Sequence, residues 1–265
     1  MAGKAPEPAT ARRFASNADG YARFRPDYPN SILWPLAEAI AAVAVTGPLP
    51  VIDVGSGTGI FSRGLASLLP ADIPIRGIEP SDAMRKQAGI EKDVTRAIAY
   101  EPGTAEALPV ENFAARAVVA ATAAHWFDRP AFYQEAARVI VPSGVLGIVE
   151  YIRDADRSPA ARVIETFLAQ QSEPKAYARP DYEKELLCLP DFTAPRCFEE
   201  DVILSLSKDE FVGLALSSSH ARAVVERRGQ AVAEKALLNL SEPLVLADGT
   251  IPYGYRFRLF IAWRK

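Results

Sequence analysis

Asp53-Val54-Gly55-Ser56-Gly57-Thr58-Gly59 is the stretch of this 265-residue sequence whose residue types and spacing point most directly to chemistry. An apolar run from Pro50 to Val54 carries one acid, Asp53, and stops at three alternate glycines. Glycines in such a loop permit positive φ and let a ligand lie against the backbone. A helix starting at the loop aims free N–H groups at that ligand. A second strand-like run, Ile75 to Glu79, also ends in an acid, twenty positions past Gly59. An acid at that place can accept both hydroxyls of a ribose. Two nucleotide sites fit less well. A dinucleotide loop, G-x-G-x-x-G, needs a glycine where Ile60 stands, and a P-loop needs a G-K-[ST] lysine that is missing.

The elements that position these residues follow from periodicity. Ser31 to Val45 predicts a helix, with Asn30 or Ser31 as cap and Pro35 in its first turn. Gly59 to Leu69 predicts a helix with Ile60, Leu65, Leu68 and Leu69 on its apolar face. Ser81 caps a helix through Gln87, and Thr95 to Tyr100 reads as a weaker strand. Ala117 to Thr122 reads as a buried strand, Arg129 to Val139 as a helix, and Val145 to Ile152 as a strand. Strict alternation implies a parallel sheet with helices on both faces, and ligands bind at the rim where the strands end. After Tyr151 the rhythm changes. Pro159 to Gln171 and Lys208 to Leu240 are helix-rich, while Val202 to Leu206 and Tyr255 to Trp263 are strand-like. The division expected is a tail and lid over 1–30, a ligand-binding core over 31–152, and late strands with helical cap insertions over 153–265.

Composition narrows the function. Hydrophobic residues make up 49% and charged residues 24%, an ordinary globular mix. The formal net charge of −3 lacks the footprint of a dedicated nucleic-acid binder. Two cysteines, Cys188 and Cys197, and two histidines, His125 and His220, make neither a zinc set nor a disulfide framework. No metal is expected. Met1 to Arg13 has no apolar core of a secretory signal and reads as a loose tail, and no run is long enough to span a membrane. The compartment expected is the cytoplasm.

The pattern D-x-G-x-G-x-G resembles motif I of class I S-adenosylmethionine-dependent methyltransferases. Neighbouring segments agree. Pro80-Ser81 and Met84 follow Glu79, and Gly103-Thr104-Ala105-Glu106-Ala107-Leu108-Pro109 is similar to the family's adenine-side loop. Glu135 to Gly144 is close to the helix-to-strand turn E-x-x-R-V-L-x-P-G-G, with Pro142-Ser143-Gly144 in place of P-G-G. Ala115-Arg116-Ala117 stands where the family has Asp opening the fourth strand. Phe14 to Pro29 resembles the F-x-x-x-A-x-x-Y-x-x-x-R-P-x-Y-P segment of a small-molecule subgroup, the methyltransferase type 11 and trans-aconitate-methyltransferase-like enzymes. The resemblance covers Phe14 to about Ile152. It implies a Rossmann-like doubly wound α/β sheet, mostly parallel with an antiparallel last strand, under a helical cap.

The resemblance also implies roles. S-adenosyl-L-methionine is the cofactor and S-adenosyl-L-homocysteine the product. Asp53 orients the cofactor's amino group, Gly55 and Gly57 let it lie on the loop, and Glu79 holds the ribose with Met84 near the base. Ala105 and Glu106 meet adenine, while Tyr21 and Arg25 form a lid. A guanidinium such as Arg25 suits the cofactor's carboxylate. The reaction is methyl transfer to a small-molecule acceptor, with a carboxylate or hydroxyl oxygen favoured. A hydroxyl needs a general base, for which His125 is the candidate; a carboxylate needs none. Tyr28, Trp126, Arg179, Tyr182, His220, Tyr253 and Tyr255 are candidates for the acceptor pocket, against the ordinary alternative of packing or solvation. Glu199-Glu200-Asp201 reads as a solvated acidic run. An RNA or protein acceptor, and a non-catalytic cofactor-binding regulator, are the competing readings. The missing N-P-P-Y-type signature after the fourth strand, where Ala123-Ala124-His125-Trp126 stands, weighs against nucleic acid. Neither a nucleic acid nor a membrane partner is expected, and monomer and homodimer stay equally open.

Overall fold

The structure, a computed structural model, describes residues 18–90, 98–169, 179–218 and 221–265. The N-terminal tail, His220, and the start of the third strand expected from Thr95 lie outside the described residues. Seven strands form one sheet: β1 (Val51–Val54), β2 (Ile75–Ile78), β3 (Ala99–Glu101), β4 (Ala115–Ala121), β5 (Ile140–Arg153), β6 (Arg196–Leu206) and β7 (Ile251–Trp263). Their order is β3-β2-β1-β4-β5-β7-β6. β1 to β5 pair in parallel, and β7 runs antiparallel to both β5 and β6. This is the Rossmann-like, mostly parallel sheet with an antiparallel last strand. The direction of the chain reverses between β4 and β1 in this order, so the crevice beside the β1 tip is where a ligand is expected.

Side chains alternate across the strands and divide the core into two layers. Val51, Val119, Val149 and Leu259 face one way, and Ile52, Val118, Ile148 and Phe260 the other. The first face is covered by α2 (Asn30–Ala41), α3 (Ile60–Leu68), α6 (Pro159–Ala169), α8 (Lys208–Leu216), α9 (Ala221–Arg228) and α10 (Gln230–Ser241). The second is covered by α5 (Arg129–Val139) and α7 (Tyr182–Leu187). The insertion after Tyr151 is therefore split between faces, because α6 packs on the first and α7 on the second. α4 (Asp82–Ile90) follows β2, and α1 (Ala18–Phe24) packs against both α4 and α8.

Three local departures from expectation have physical causes. α2 begins at Asn30 behind Pro29, without a side-chain cap, so Pro35 sits beyond the first turn. A proline inside a helix costs about 3 kcal/mol. Ile32, Leu33, Leu36 and Ile40 are all buried on that helix, and each buried side chain contributes about 1.5–3 kcal/mol. Burial wins. β5 starts five residues early, at Ile140, and the pairing register jumps between Ala115–Ile140 and Ala117–Val145. Ser143 takes the left-handed conformation there, φ 63°, and is held by its N–H to the Arg264 carbonyl at 2.9 Å. β6 starts at Arg196, and the acidic run lies on it as part of an edge strand. Glu199 meets Arg258 at 2.8 Å and Asp201 meets Arg256 at 2.8 Å across the strand pair. The run is paired rather than simply solvated.

Arg116, standing where an acid was expected, is buried and donates to the carbonyls of Ile40 and Val43. It caps the end of α2, a place that favours a cation.

Candidate functional site

β1 is buried along its whole length, and that burial carries Asp53 into the interior. The Ser62 hydroxyl from α3 donates to Asp53 Oδ2, while Oδ1 has no partner among the described residues. Burial raises the Asp53 carboxyl from its usual value near 3.8 to about 7, the Ser62 bond pulling down and the charge of Glu79 pushing up.

The loop after β1 turns through Gly55, Gly57 and Gly59, all at positive φ. A Cβ on Gly55 would stand 2.7 Å from Ala123 Cβ, so the loop and the β4 outlet can meet only through glycine. Nothing lies within 4 Å of a Cβ position on Gly57. The N–H groups of Gly55 and Ser56 go to the Ile78 carbonyl at 2.7 and 3.3 Å. Gly57 N–H goes to Glu79 Oε2 at 3.1 Å, and Ser81 N–H to Oε1 at 2.8 Å. The Glu79 carboxylate is thus aimed by two backbone donors at the tip of β2.

Ser56 Oγ, Thr58 Oγ1 and Ser81 Oγ, like Asp53 Oδ1, are buried without a partner among the described residues. Buried polar atoms are normally paired. Their concentration around this one loop, with open space before Gly57, fits a ligand that is polar at several points along its length. S-adenosylmethionine, with amino-acid and ribose ends, is such a ligand.

A cleft runs from this loop to the β4 and β5 tips. It is lined by Arg25, Pro26, Tyr28, Gly55 to Thr58, Ile60, Phe61, Ala121, Thr122 and Tyr151. Tyr28 and Thr122 share a hydrogen bond of 2.9 Å between hydroxyls. Thr122 has φ 50°, an outlying conformation for a β-branched residue, and its N–H is tied to the Val149 carbonyl at 2.7 Å. Strain of this kind gathers at functional sites. Arg25 Nη1 donates to the Tyr151 hydroxyl at 3.0 Å, and Nη2 to the Ser217 carbonyl at 3.5 Å.

The structure thus brings Asp53, Gly55, Gly57 and Glu79 together, and Arg25 and Tyr28 onto the same cleft. Met84 is buried on α4, and Ala105 is buried after β3. Glu106 turns its carboxylate to the Asp128 N–H at 3.0 Å, tying the loop after β3 to the start of α5. Tyr21 lies on α1, and its side chain is outside the described residues. His125 and Trp126 form a half-buried turn beyond β4, their rings 4.9 Å apart, and neither lines the cleft.

Arg179 bonds Glu150 at 2.8 Å on the second face of the sheet, where Arg258 bonds the same acid at 3.3 Å. Tyr182 packs on that face too, while Tyr253 and Tyr255 are buried on the first. Thr122 and Tyr151 are cleft residues that sequence reasoning passed over. Thr122 ends, and Tyr151 stands one residue before the end of, a run that read only as a strand, and nothing local separates them from other strand residues.

Residues 52–148 match the family model described as "Methyltransferase domain". An uncharacterized methyltransferase of Mycobacterium tuberculosis is 34% identical over 146 residues, covering 53% of this chain and 53% of that protein. An uncharacterized methyltransferase-like protein of Schizosaccharomyces pombe is 27% identical over 146 residues, covering 54% of this chain and 53% of that protein. The chain spans about half the length of the curated relatives it matches. A structure from Anaeromyxobacter dehalogenans, provisionally described as a type II methyltransferase, is similar with a TM-score of 0.61 at 24% identity, covering 91% of this chain and 98% of that one. The YcgJ protein of Bacillus subtilis is similar with a TM-score of 0.54 at 16% identity, covering 89% of this chain and 99% of that one. These two likenesses concern the fold. Strand order, glycine loop and sequence match agree: residues 52–148 are similar to the methyltransferase domain family, and the sheet around them is Rossmann-like.

Proposed function

We propose that this chain is an S-adenosylmethionine-dependent methyltransferase acting on a small-molecule acceptor, at a carboxylate or hydroxyl oxygen. One observation carries the reading: the Glu79 carboxylate and the Asp53 loop are held together at two adjacent strand tips through the Gly57 N–H. Acid, open glycine loop and acid are the three parts that a ligand with a ribose and an amino-acid end requires.

When bound, the cofactor supplies a sulfonium methyl, whose carbon bonds the acceptor oxygen as its bond to sulfur breaks and the electron pair stays on sulfur. The chain's own residues do the rest. Glu79 would accept the ribose hydroxyls, and Asp53 Oδ1 would answer the ammonium end through the loop. Gly55 and Gly57 let the chain approach the ligand closely. Tyr28, Phe61 and Tyr151 wall the cleft and exclude water, with Arg25 at its edge. Alignment of acceptor and methyl is the main catalytic effect available to such a site. The aromatic walls favour a small acceptor over an open macromolecular surface. Exposed free thiols at Cys188 and Cys197 suit a reducing compartment such as the cytoplasm.

The test has two stages. Calorimetry should show binding of S-adenosylhomocysteine. A panel of carboxylic acids, phenols and amines should then be screened for S-adenosylhomocysteine production from S-adenosylmethionine. Absence of cofactor binding would end the reading.

A further inference from the structure

A tyrosine outside the cleft stands on the same row of the sheet as Asp53. Asp53 pairs with Gly77 on β2, and Gly77 pairs with Tyr100 on β3. Residues paired in register share a face of the sheet. Asp53, Gly77 and Tyr100 therefore all face the layer that holds α3. The middle member has no side chain. A Cβ on Gly77 would stand 2.6 Å from the Tyr100 ring, so the ring lies across β2 only because glycine is there. The Tyr100 hydroxyl reaches the loop after β1, where a Cβ on Gly59 would fall onto it. Gly59 opens α3 at φ 79° and has no side-chain cap. Tyr100 thus backs the glycine loop without lining the cleft in front of it.

The hydroxyl arrives among polar partners. Ser62 Oγ donates to Asp53 Oδ2. Arg63 Nη1 donates to the Thr58 carbonyl at 2.8 Å. The Tyr100 hydroxyl is buried beside Ser62 and Arg63, and it completes no hydrogen bond of standard geometry among the described residues. Burial and the charge of Asp53 push its phenol above the ordinary value near 10, against the opposite pull of Arg63 and Ser62. A phenol that keeps its proton is a donor. Ser62 has one proton and gives it to Asp53, so Tyr100 can offer Ser62 its own. A hydroxyl that receives a hydrogen bond gives a stronger one. From the other strands, Asp53 is faced by Glu79 at the tip of β2 and by Val119, its partner on β4. Glu79 favours the neutral carboxyl, and Val119 offers no donor.

We propose, on the cofactor reading above, that Tyr100 is a positioning residue that acts through Ser62 to hold Asp53 ready for the cofactor's ammonium end. The ammonium needs an ionised Asp53. Tyr100 donating to Ser62, and Ser62 to Asp53, favours that form and offsets the repulsion from Glu79. The phenol does two separable things. Its ring fills the space over Gly77, and its hydroxyl supports the charge of Asp53. Tyr100→Phe removes the second and keeps the first.

The experiment follows the Asp53 carboxyl by carbon-13 NMR in the full chain without ligand, its signal assigned with Asp53→Asn. Tyr100→Phe should raise the Asp53 titration midpoint by about half a pH unit or more, because the charged form loses support. In a Ser62→Ala background the same substitution should leave that midpoint unmoved. By calorimetry, the Tyr100→Phe variant should bind S-adenosylhomocysteine ~3-fold or more weakly than the parent near pH 6, yet within ~1.5-fold of it near pH 8.5, where Asp53 is ionised in both. An unmoved Asp53 midpoint overturns the inference even if thermal stability falls, since a ring that only packs predicts that result. An equal shift with and without Ser62 overturns it too, because the effect would then take another route. So does weakening of the same size at both pH values, which a displaced loop would produce without the charge of Asp53. If S-adenosylhomocysteine fails to bind at either pH while the Asp53 midpoint rises only when Ser62 is present, the cofactor reading falls and the Tyr100–Ser62–Asp53 chain stands.

Discussion

Glu79 Oε2 accepts the backbone N–H of Gly57 at 3.1 Å, so the acid at the tip of β2 holds the glycine loop that follows β1. The same carboxylate takes the Ser81 N–H at 2.8 Å, so both its oxygens are fixed before any ligand arrives. Hydrogen bonds to a charged group contribute about 1.5–3 kcal/mol each. Glu79→Ala should therefore weaken S-adenosylmethionine binding by about 10- to 100-fold in calorimetry. Unchanged affinity would remove the ribose role.

Asp53 makes folding stability depend on pH. Its folded value of about 7 lies above the ordinary value near 3.8. At low pH the carboxyl is protonated in both states and costs nothing. As pH rises through about 4, the unfolded chain releases the proton while the folded chain keeps it, so stability falls until about pH 7 and is level above. Asp53→Asn keeps a side-chain acceptor for Ser62 and has no proton to lose. Denaturant melts at pH 4.5 and 7.5 should show a smaller drop in the variant than in the parent. Equal drops would place the charge outside the interior.

His125 separates two acceptor chemistries. A hydroxyl acceptor must lose a proton, and a positioned base contributes about 10²–10⁴-fold. A carboxylate acceptor is already ionised. Once an acceptor is found, His125→Ala should leave turnover within a few-fold for an acid and lower it about 100-fold for a hydroxyl. The side chain sits in the turn beyond Thr122 and outside the cleft lining, which suits the acid.

Helix α1 rests on α8 at a glycine. A Cβ on Gly213 would stand 2.5 Å from the Phe24 ring, so the ring lies flat against α8 only because no side chain is there. Gly213→Val should displace Phe24 and loosen α1. Overpacking of this kind costs about 1–3 kcal/mol. Limited trypsin digestion should cut faster at Arg23, and cofactor affinity should fall. A cleavage pattern like the parent's would show that α1 is held elsewhere.

Much of this was legible in local sequence. The alternation of apolar runs and helix faces announced the parallel sheet, because each βα unit carries its own periodicity and its own loop chemistry. Asp53, the glycines and Glu79 were readable for the same reason: each sits at the end of a strand, where position along the chain already defines position on the rim. Even Arg25 and Tyr28 came from a contiguous motif. By contrast, β6 was read as only its last five residues, since Glu199-Glu200-Asp201 looks like a surface run until Arg256 and Arg258 are placed opposite.

Tertiary structure alone decided what gathers at the rim beyond β5. Tyr151 and Arg153 come from β5, Tyr253 and Tyr255 from β7, and Thr122 from the residue after β4, and their shared rim exists only once β7 inserts between β5 and β6. Strand alternation then sorted the candidates, sending Arg179 to Glu150 on one face and the tyrosines to the other. A strand's own residues determine that it alternates. Which of its two faces meets the cleft depends on the register with its neighbours, and that register is a property of the folded sheet.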